Sequence, residues 1–348
     1  MPSLNLTAQL HALRSKPIGY RWSSSVVMAD RRITVSSDDQ ALFADFFTMF
    51  GAAPPVAGSS NERADMQLDV VSAGGGDYGW FRLSGDDTLP LDGGEFRFAT
   101  SLAQGTFETI DGAEPGWTCV AVRGGATPAF AFRDRDCLFA LTGNWRAGLM
   151  WFLFWRLLRL RDDAIFFHAS AMGIGGKGTI FVGPSGGGKS TTALSLAARG
   201  HMLLSDEVAG YLPATGKIVP FRRPVGIKPG PRCDAVNRAL QPEHDARIRD
   251  EGFVRFDVNT LFPVSDPYPV PLDNIVFLRG FADRPMLKRI TPGRGEIAEL
   301  QPLMGSFLNA AHGRRVFDLT RLLGRAKVYE LKLGGPDETA DYLEHVIA

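Results

Sequence analysis

The residues Gly183-Pro-Ser-Gly-Gly-Gly-Lys-Ser190 carry the most specific chemistry in the chain. They match G-x-x-x-x-G-K-S/T, the pattern of a loop that cradles phosphates. A polyphosphate concentrates negative charge at one point, so the loop must bring bare backbone N–H groups close to it. Gly186, Gly187 and Gly188 remove the Cβ atoms that would block this approach, and they permit positive φ. Lys189 offers a mobile cation to the β- and γ-phosphates, and Ser190 offers a hydroxyl to Mg²⁺. Gly183, Pro184, Ser185 and Thr191 complete the stretch expected to line the phosphates.

The loop sits where such a loop must sit. Thr179–Val182 reads as a short buried strand, Thr191–Arg199 as a helix ended by Gly200 at its C′ position, and Met202–Leu204 as the next strand. This is a βαβ-type arrangement, with the positive end of the helix aimed at the phosphates. Phosphoryl transfer also needs a carboxylate at the end of a neighbouring strand, to hold the metal or to take a proton. Asp206 and Glu207 follow the strand His201–Ser205 and meet that need. Arg222 and Arg223 lie on the strand expected next. Guanidinium groups bind phosphate bidentately, so one of them, Arg223 in particular, is expected to meet the phosphate or the acceptor; a surface pair is the alternative. No Asn is followed by Lys, which removes the N-K-x-D guanine reader, and neither an L-S-G-G-Q-like signature nor the H-R-D and D-F-G pair of protein kinases occurs. A P-loop kinase or an ATPase using ATP and Mg²⁺ remains.

The run His168-Ala-Ser-Ala, the loop Gly183–Ser190 and Leu204-Ser-Asp-Glu207 together resemble the HPr kinase/phosphorylase family, and more closely its HPr-kinase-related relatives. Their P-loop core is similar to that of the phosphoenolpyruvate carboxykinases. The spacing carries the resemblance: His168 stands 15 residues before the first loop glycine, and the acids 23 and 24 after it. The resemblance spans about residues 165–230. It implies that Asp206 is the general base toward an acceptor hydroxyl, and that His168 serves the site by bonding Asp206 or a phosphate. It implies a metal site of Ser190, Asp206 and Glu207. Glu207 stands where the family has aspartate, Thr191 where it has glutamate, and Pro292-Gly-Arg-Gly where it has a P-G-R-N-like segment.

These residues need a core to position them. The fold class expected is an α/β P-loop core of the HPr kinase/PEPCK type, residues 144–348, preceded by an α+β accessory domain, residues 1–143. In the front part, Arg32–Ser36 reads as a strand and Ser37-Asp-Asp as the cap of a helix through Phe50. Short strands at Met66–Val71, Tyr78–Leu83, Glu95–Ala99, Thr106–Ile110, Trp117–Val122 and Ala129–Arg133 follow, as in an antiparallel sheet. Asn144 to about Leu160 reads as a buried helix. Later strands are expected at Val219–Lys228, Asn274–Arg279, Leu287–Ile290 and Lys327–Leu333, and a last helix from Pro336. The charge-dense segment Gly230–Asp257 fits either a flap over the site or a solvated helix.

Composition agrees with a globular chain of 348 residues: 45% hydrophobic and 22% charged, which excludes disorder, a coiled coil or a collagen-like repeat. Residues 1–150 carry 12 basic and 17 acidic side chains, against 26 and 21 in the remainder, so an acidic front precedes a mildly basic back. The balanced total argues against nucleic-acid or anionic-membrane partners. Three scattered cysteines, Cys119, Cys137 and Cys233, suit neither a disulfide framework nor a zinc site. With no secretory leader and no apolar run of membrane-spanning length, a cytoplasmic location is expected. The expected partners are ATP and a hydroxyl acceptor, either a serine in a protein or peptide or a small molecule; a switch-like nucleotide-binding module is the non-enzymatic alternative. Homo-oligomerisation stays open.

Overall fold

Strands dominate the front of the chain because short apolar runs alternate there with turn residues. The computed structural model describes residues 21–37, 66–72, 94–97, 103–109, 117–124, 127–133, 137–143, 163–223, 225–227, 248–250, 253–256, 258–262, 269–305 and 312–347, with residues 40, 43 and 44. Its contacts separate two units, one mainly of residues 1–160 and one mainly of residues 161–348.

The described strands of the first unit are β1 (Trp22–Met28), β2 (Arg31–Ser37), β3 (Met66–Ser72), β4 (Gly94–Arg97), β5 (Ala103–Thr109), β6 (Trp117–Gly124), β7 (Thr127–Arg133) and β8 (Cys137–Gly143). They form one sheet in the order β1-β2-β3-β6-β7-β8-β5-β4. The sheet is mixed and not wholly antiparallel, because β3 runs parallel to both β2 and β6. Residues 38–65 and 73–116 separate these strands along the chain, length enough for the crossovers that parallel pairing requires. Ser37 belongs to β2, and the helical positions after it are Gln40, Phe43 and Ala44. The expected strand at Tyr78–Leu83 and the expected helix at 144–160 lie outside the described residues. Cys119 and Cys137 both pair with Phe132, from opposite sides. Two strand spacings, roughly 9–10 Å, separate them, too far for a disulfide.

The second unit contains β9 (Ile165–Phe167), β10 (Ser170–Ile174), β11 (Lys177–Val182), α1 (Lys189–Ala197), β12 (Met202–Ser205), β13 (Ala209–Leu212), β14 (Lys217–Val219), β15 (Val225–Ile227), β16 (Ile248–Asp250), β17 (Phe253–Phe256), α2 (Val258–Leu261), β18 (Val270–Phe281), β19 (Met286–Ile290), α3 (Arg294–Gly305), α4 (His312–Arg325), β20 (Lys327–Leu333) and α5 (Pro336–Ile347). The main sheet runs β12-β10-β11-β18-β14-β13-β9, with β20 also on β18 and β19 on β20. β11, β18 and β20 are mutually parallel. β15, β17 and β16 form a separate antiparallel sheet. Part of the 230–257 segment is therefore strand and not helix.

Side-chain alternation explains why this sheet is covered on both faces. In β11, Phe181 joins a core with Leu194 and Leu196 of α1 and Leu343 of α5. Its neighbours Ile180 and Val182 join a second core with Leu300 and Met304 of α3 and Leu319 and Leu322 of α4. β18 divides the same way, with Val276 and Leu278 on one face and Ile275 and Phe277 on the other. Strands buried on both faces lose polar alternation, which is why T-I-F-V and I-V-F-L read as continuous apolar runs. The result is a mixed α/β layer structure with helices on either side of the sheet.

The expected βαβ unit is present in a modified form. β11 and β12 are parallel, yet they do not touch, because β10 lies between them and pairs antiparallel with both. The N-terminal end of β10 therefore lies beside the C-terminal ends of β11 and β12.

The sheet tolerates little extra volume where β11 meets β18. A Cβ on Gly178 would lie 2.4 Å from the Pro271 carbonyl oxygen and 2.8 Å from Ile218 Cδ1. Backbone cannot yield as a flexible side chain can. Gly178→Ala is expected to cost about 1–3 kcal/mol, read as a lower denaturation midpoint at unchanged slope.

Candidate functional site

Three chain segments meet at one end of the strands β12, β10 and β11 of the second unit: the loop after β11, the acids after β12 and the turn before β10. α1 starts directly from the loop. Gly188 is its N-cap at φ 94, with no side-chain cap and no acid in the first turn. By contrast, α5 places Asp337 and Glu338 in its first turn. The amide dipoles at the start of α1 are thus left for an anion supplied from outside the helix.

The three central glycines have different duties. Gly186 takes φ +76 in open space, and Gly188 takes φ +94 while a Cβ there would lie 2.4 Å from Leu333 Cδ1. Gly187 lies outside the left-handed region; a Cβ on it would crowd the Pro184 carbonyl at 3.0 Å, the same oxygen its N–H donates to. Lys189 is buried, and its Nζ donates to the Gly183 and Pro184 carbonyls at 2.8 and 3.0 Å. The ammonium is thus folded back onto the backbone of its own loop.

Asp206 is buried at the end of β12. Two serine hydroxyls reach this residue. Ser190 of the loop bonds to it, and Ser170, at the start of β10, donates to the Asp206 carbonyl at 2.7 Å with Oδ1 at 3.3 Å. Ser170 was not singled out in the sequence, although it lies two residues after His168. Only the antiparallel insertion of β10 brings it to Asp206, and no local pattern reports that insertion. Burial pushes the Asp206 carboxyl above the usual carboxylate range. The hydroxyls of Ser190 and Ser170 and the charges of Arg223 and Lys189 oppose this shift without cancelling it.

His168 sits in a γ-turn between β9 and β10, closed by the Ala169 N–H on the Phe167 carbonyl at 2.9 Å. Its own N–H donates to Leu303 at 3.1 Å, one of the last carbonyls of α3. The imidazole is held below its ordinary pKa, first by burial and then by the charges of Lys189 and Arg223. It is a neutral ring beside two cations. The bond from His168 to Asp206 that the spacing allowed is made by Ser170 instead.

The two arginines divide. Both follow β14 in irregular chain, not on a strand, and both are buried, so they are not a surface pair. The Phe221 N–H on the Leu204 carbonyl, at 2.8 Å, fixes this segment to β12. Arg222 turns inward and donates to the carbonyls of Leu203, Val258 and Phe262, which ties β12 to α2. Arg223 pairs with Glu207 and is close enough to act on Asp206 and His168. Lys189, Arg223, His168 and Asp206 therefore share one site.

Ser190 and Asp206 supply the hard oxygen donors that Mg²⁺ prefers. Glu207 gives one carboxylate oxygen, Oε2, to Arg223, and its other oxygen is a further hard donor. Among the described residues no group of three His, Cys, Asp or Glu side chains forms a metal cluster, and no helix is long and apolar enough to cross a membrane.

No family model matches the chain, and no curated protein matches it. Among solved structures, the chain is similar to the HPr(Ser) kinase/phosphatase from Coxiella burnetii at 16% identity, covering 52% of this chain and 93% of that one, with a TM-score of 0.26. So low a TM-score carries no weight, and the functional reading stands on the site itself.

The raised pKa of Asp206 has a consequence for stability without ligand. A carboxyl whose folded pKa is raised favours the fold below its unfolded value, near 3.9, and that contribution is lost as pH climbs through the folded value. Asp206→Asn is isosteric with the protonated acid. Denaturant titrations in chelator are expected to find Asp206→Asn more stable than wild type at pH 7, with the two converging toward pH 4. A variant less stable at pH 7 would mean that the ionised carboxylate holds the fold.

Proposed function

We propose that this chain is an ATP-dependent kinase with a P-loop core of the HPr kinase/PEPCK type, which transfers the γ-phosphate to a hydroxyl. The observation that carries the reading is the convergence of the glycine-rich loop and a buried strand-end acid, with Ser190 and Lys189 of the loop both acting on the Asp206 carboxyl. It joins a phosphate cradle to a buried carboxylate whose proton affinity is raised. A carboxylate with raised proton affinity is a better general base near neutrality than an exposed one.

ATP lies with its phosphates along Gly183–Thr191, on the loop amides and the start of α1. Lys189 exchanges its two carbonyl partners for phosphate oxygens. Mg²⁺ held by Ser190 and Asp206, with Glu207 as a further donor, would neutralise phosphate charge. Asp206 takes the proton of the acceptor hydroxyl as the oxygen–phosphorus bond forms and the bond to the β-phosphate oxygen breaks. Arg223 faces the charge that develops on the transferring group, and Glu207 holds its guanidinium in place. His168, being neutral, can bond a phosphate oxygen without adding a third cation.

The acceptor is a serine in a protein or peptide, with a small-molecule hydroxyl as the other candidate. The eight-stranded unit serves acceptor recognition. No histidine lies between His11 and His168, and the phosphate chemistry gathers after His168.

Incubation with γ-labelled ATP and a lysate of the source cells is expected to label one acceptor. Asp206→Asn is expected to lower that transfer by about 10²–10⁴-fold while ADP binding persists. Wild-type turnover in this variant would remove Asp206 as the base. ADP release with no labelled acceptor would favour a switch-like ATPase.

A further inference from the structure

The direction in which a nucleotide must lie on the loop leads to an aromatic residue that the phosphate chemistry does not use. Transfer as proposed above requires the γ-phosphate beside Asp206, at the end of β12. β12 lies on one side of β11, beyond β10, and β18 and β20 lie on the other. A triphosphate laid along the loop with its γ-end at β12 therefore directs its nucleoside toward the ends of β18 and β20.

Phe281 closes β18 at that place. It pairs with Leu333, the last residue of β20. Its Cε1 would lie 3.8 Å from a Cβ on Gly188, so the ring borders the loop itself. It is 47% exposed, whereas its strand neighbours Phe277 and Leu278 are buried. The register between β18 and β20 shifts between Leu278 and Phe281, and Gly280 takes φ +87 within the shift. Such irregularities re-aim a side chain where regular pairing ends. The Ala282 N–H then returns to the Leu333 carbonyl at 2.8 Å and fixes the chain beyond the ring. A half-exposed aromatic ring beside the loop is placed where a flat ligand group laid along the loop would meet it.

We propose that Phe281 is the platform on which the base of the bound nucleotide stacks. This rests on the kinase reading above and adds the nucleoside end of the site to its phosphate end. Stacking on an aromatic ring changes affinity by about 5- to 150-fold per base, and a ligand without a base gains none of it.

Affinities of the full chain for ATP and for tripolyphosphate, each with Mg²⁺, separate the two ends of the site. Phe281→Ala is expected to weaken ATP binding about ten-fold or more and to leave tripolyphosphate binding unchanged. Phe281→Trp is expected to restore ATP binding, with indole fluorescence quenched by ATP but not by tripolyphosphate. Equal ATP affinity in Phe281→Ala and wild type overturns the platform. Parallel loss of both ligands in Phe281→Ala, unrestored by Trp, makes the ring structural and also overturns it. If wild type binds tripolyphosphate as tightly as ATP, the loop reading survives and the platform fails. If it binds neither, both fail.

Discussion

A carboxylate taken out of water must be held by hydrogen bonds and nearby charge, or it takes up a proton. Asp206 is such a group, and the arrangement of the second unit serves to hold it. Ser190 approaches from the loop and Ser170 from the start of β10. Ser170 can do so because β10 is inserted antiparallel between β11 and β12. The same insertion sets His168 at that end of the strands, where the α3 carbonyl of Leu303 takes its N–H. Asp206 thus depends on sheet order, and sheet order on the two apolar cores that press helices onto each face.

The electrostatics follow from that placement. Lys189 and Arg223 both act on Asp206 and on His168. They draw the carboxyl toward ionisation and the imidazole toward neutrality. Glu207, on the exposed side, balances Arg223. Anionic ligand oxygens would enter a site in which Glu207 already holds Arg223, while Lys189 has only to change partners within its own loop. Such preorganisation is a large part of how sites stabilise developing charge.

The glycine-rich loop Gly183–Ser190 was legible in the sequence because its pattern is local. Glycines, lysine and serine at fixed spacing need only a strand before them and a helix after, and both are found. The strands β18, β19 and β20 and the helix α5 were legible for the same reason, as apolar runs or as a helix start marked by Pro336, Asp337 and Glu338. Long-range features were not. Arg222 and Arg223 are adjacent and chemically alike, and only the fold assigns one to three carbonyls and the other to Glu207. Ser170 is an ordinary serine until β10 pairs with β12. In α3, Pro302 interrupts the pattern that Leu300 and Met304 would show, and α4 opens on a basic run that reads as a loop. β1 was hidden by its serines, and β8 by an apolar run without alternation. The parallel pairing of β3 with β2 and β6 depends on segments far apart in the chain, which strand patterns do not encode.

Calorimetric titration of ATP·Mg²⁺ into wild type and Lys189→Ala reaches the central claim most directly. The loop, the uncapped start of α1 and the buried ammonium should bind ATP in the wild type, and loss of a charged hydrogen-bond donor, worth about 1.5–3 kcal/mol, should weaken binding at least about ten-fold. Absence of binding heat with ATP, ADP and GTP across temperatures, or equal affinity in the two proteins, would contradict the assignment of this loop as a nucleotide site.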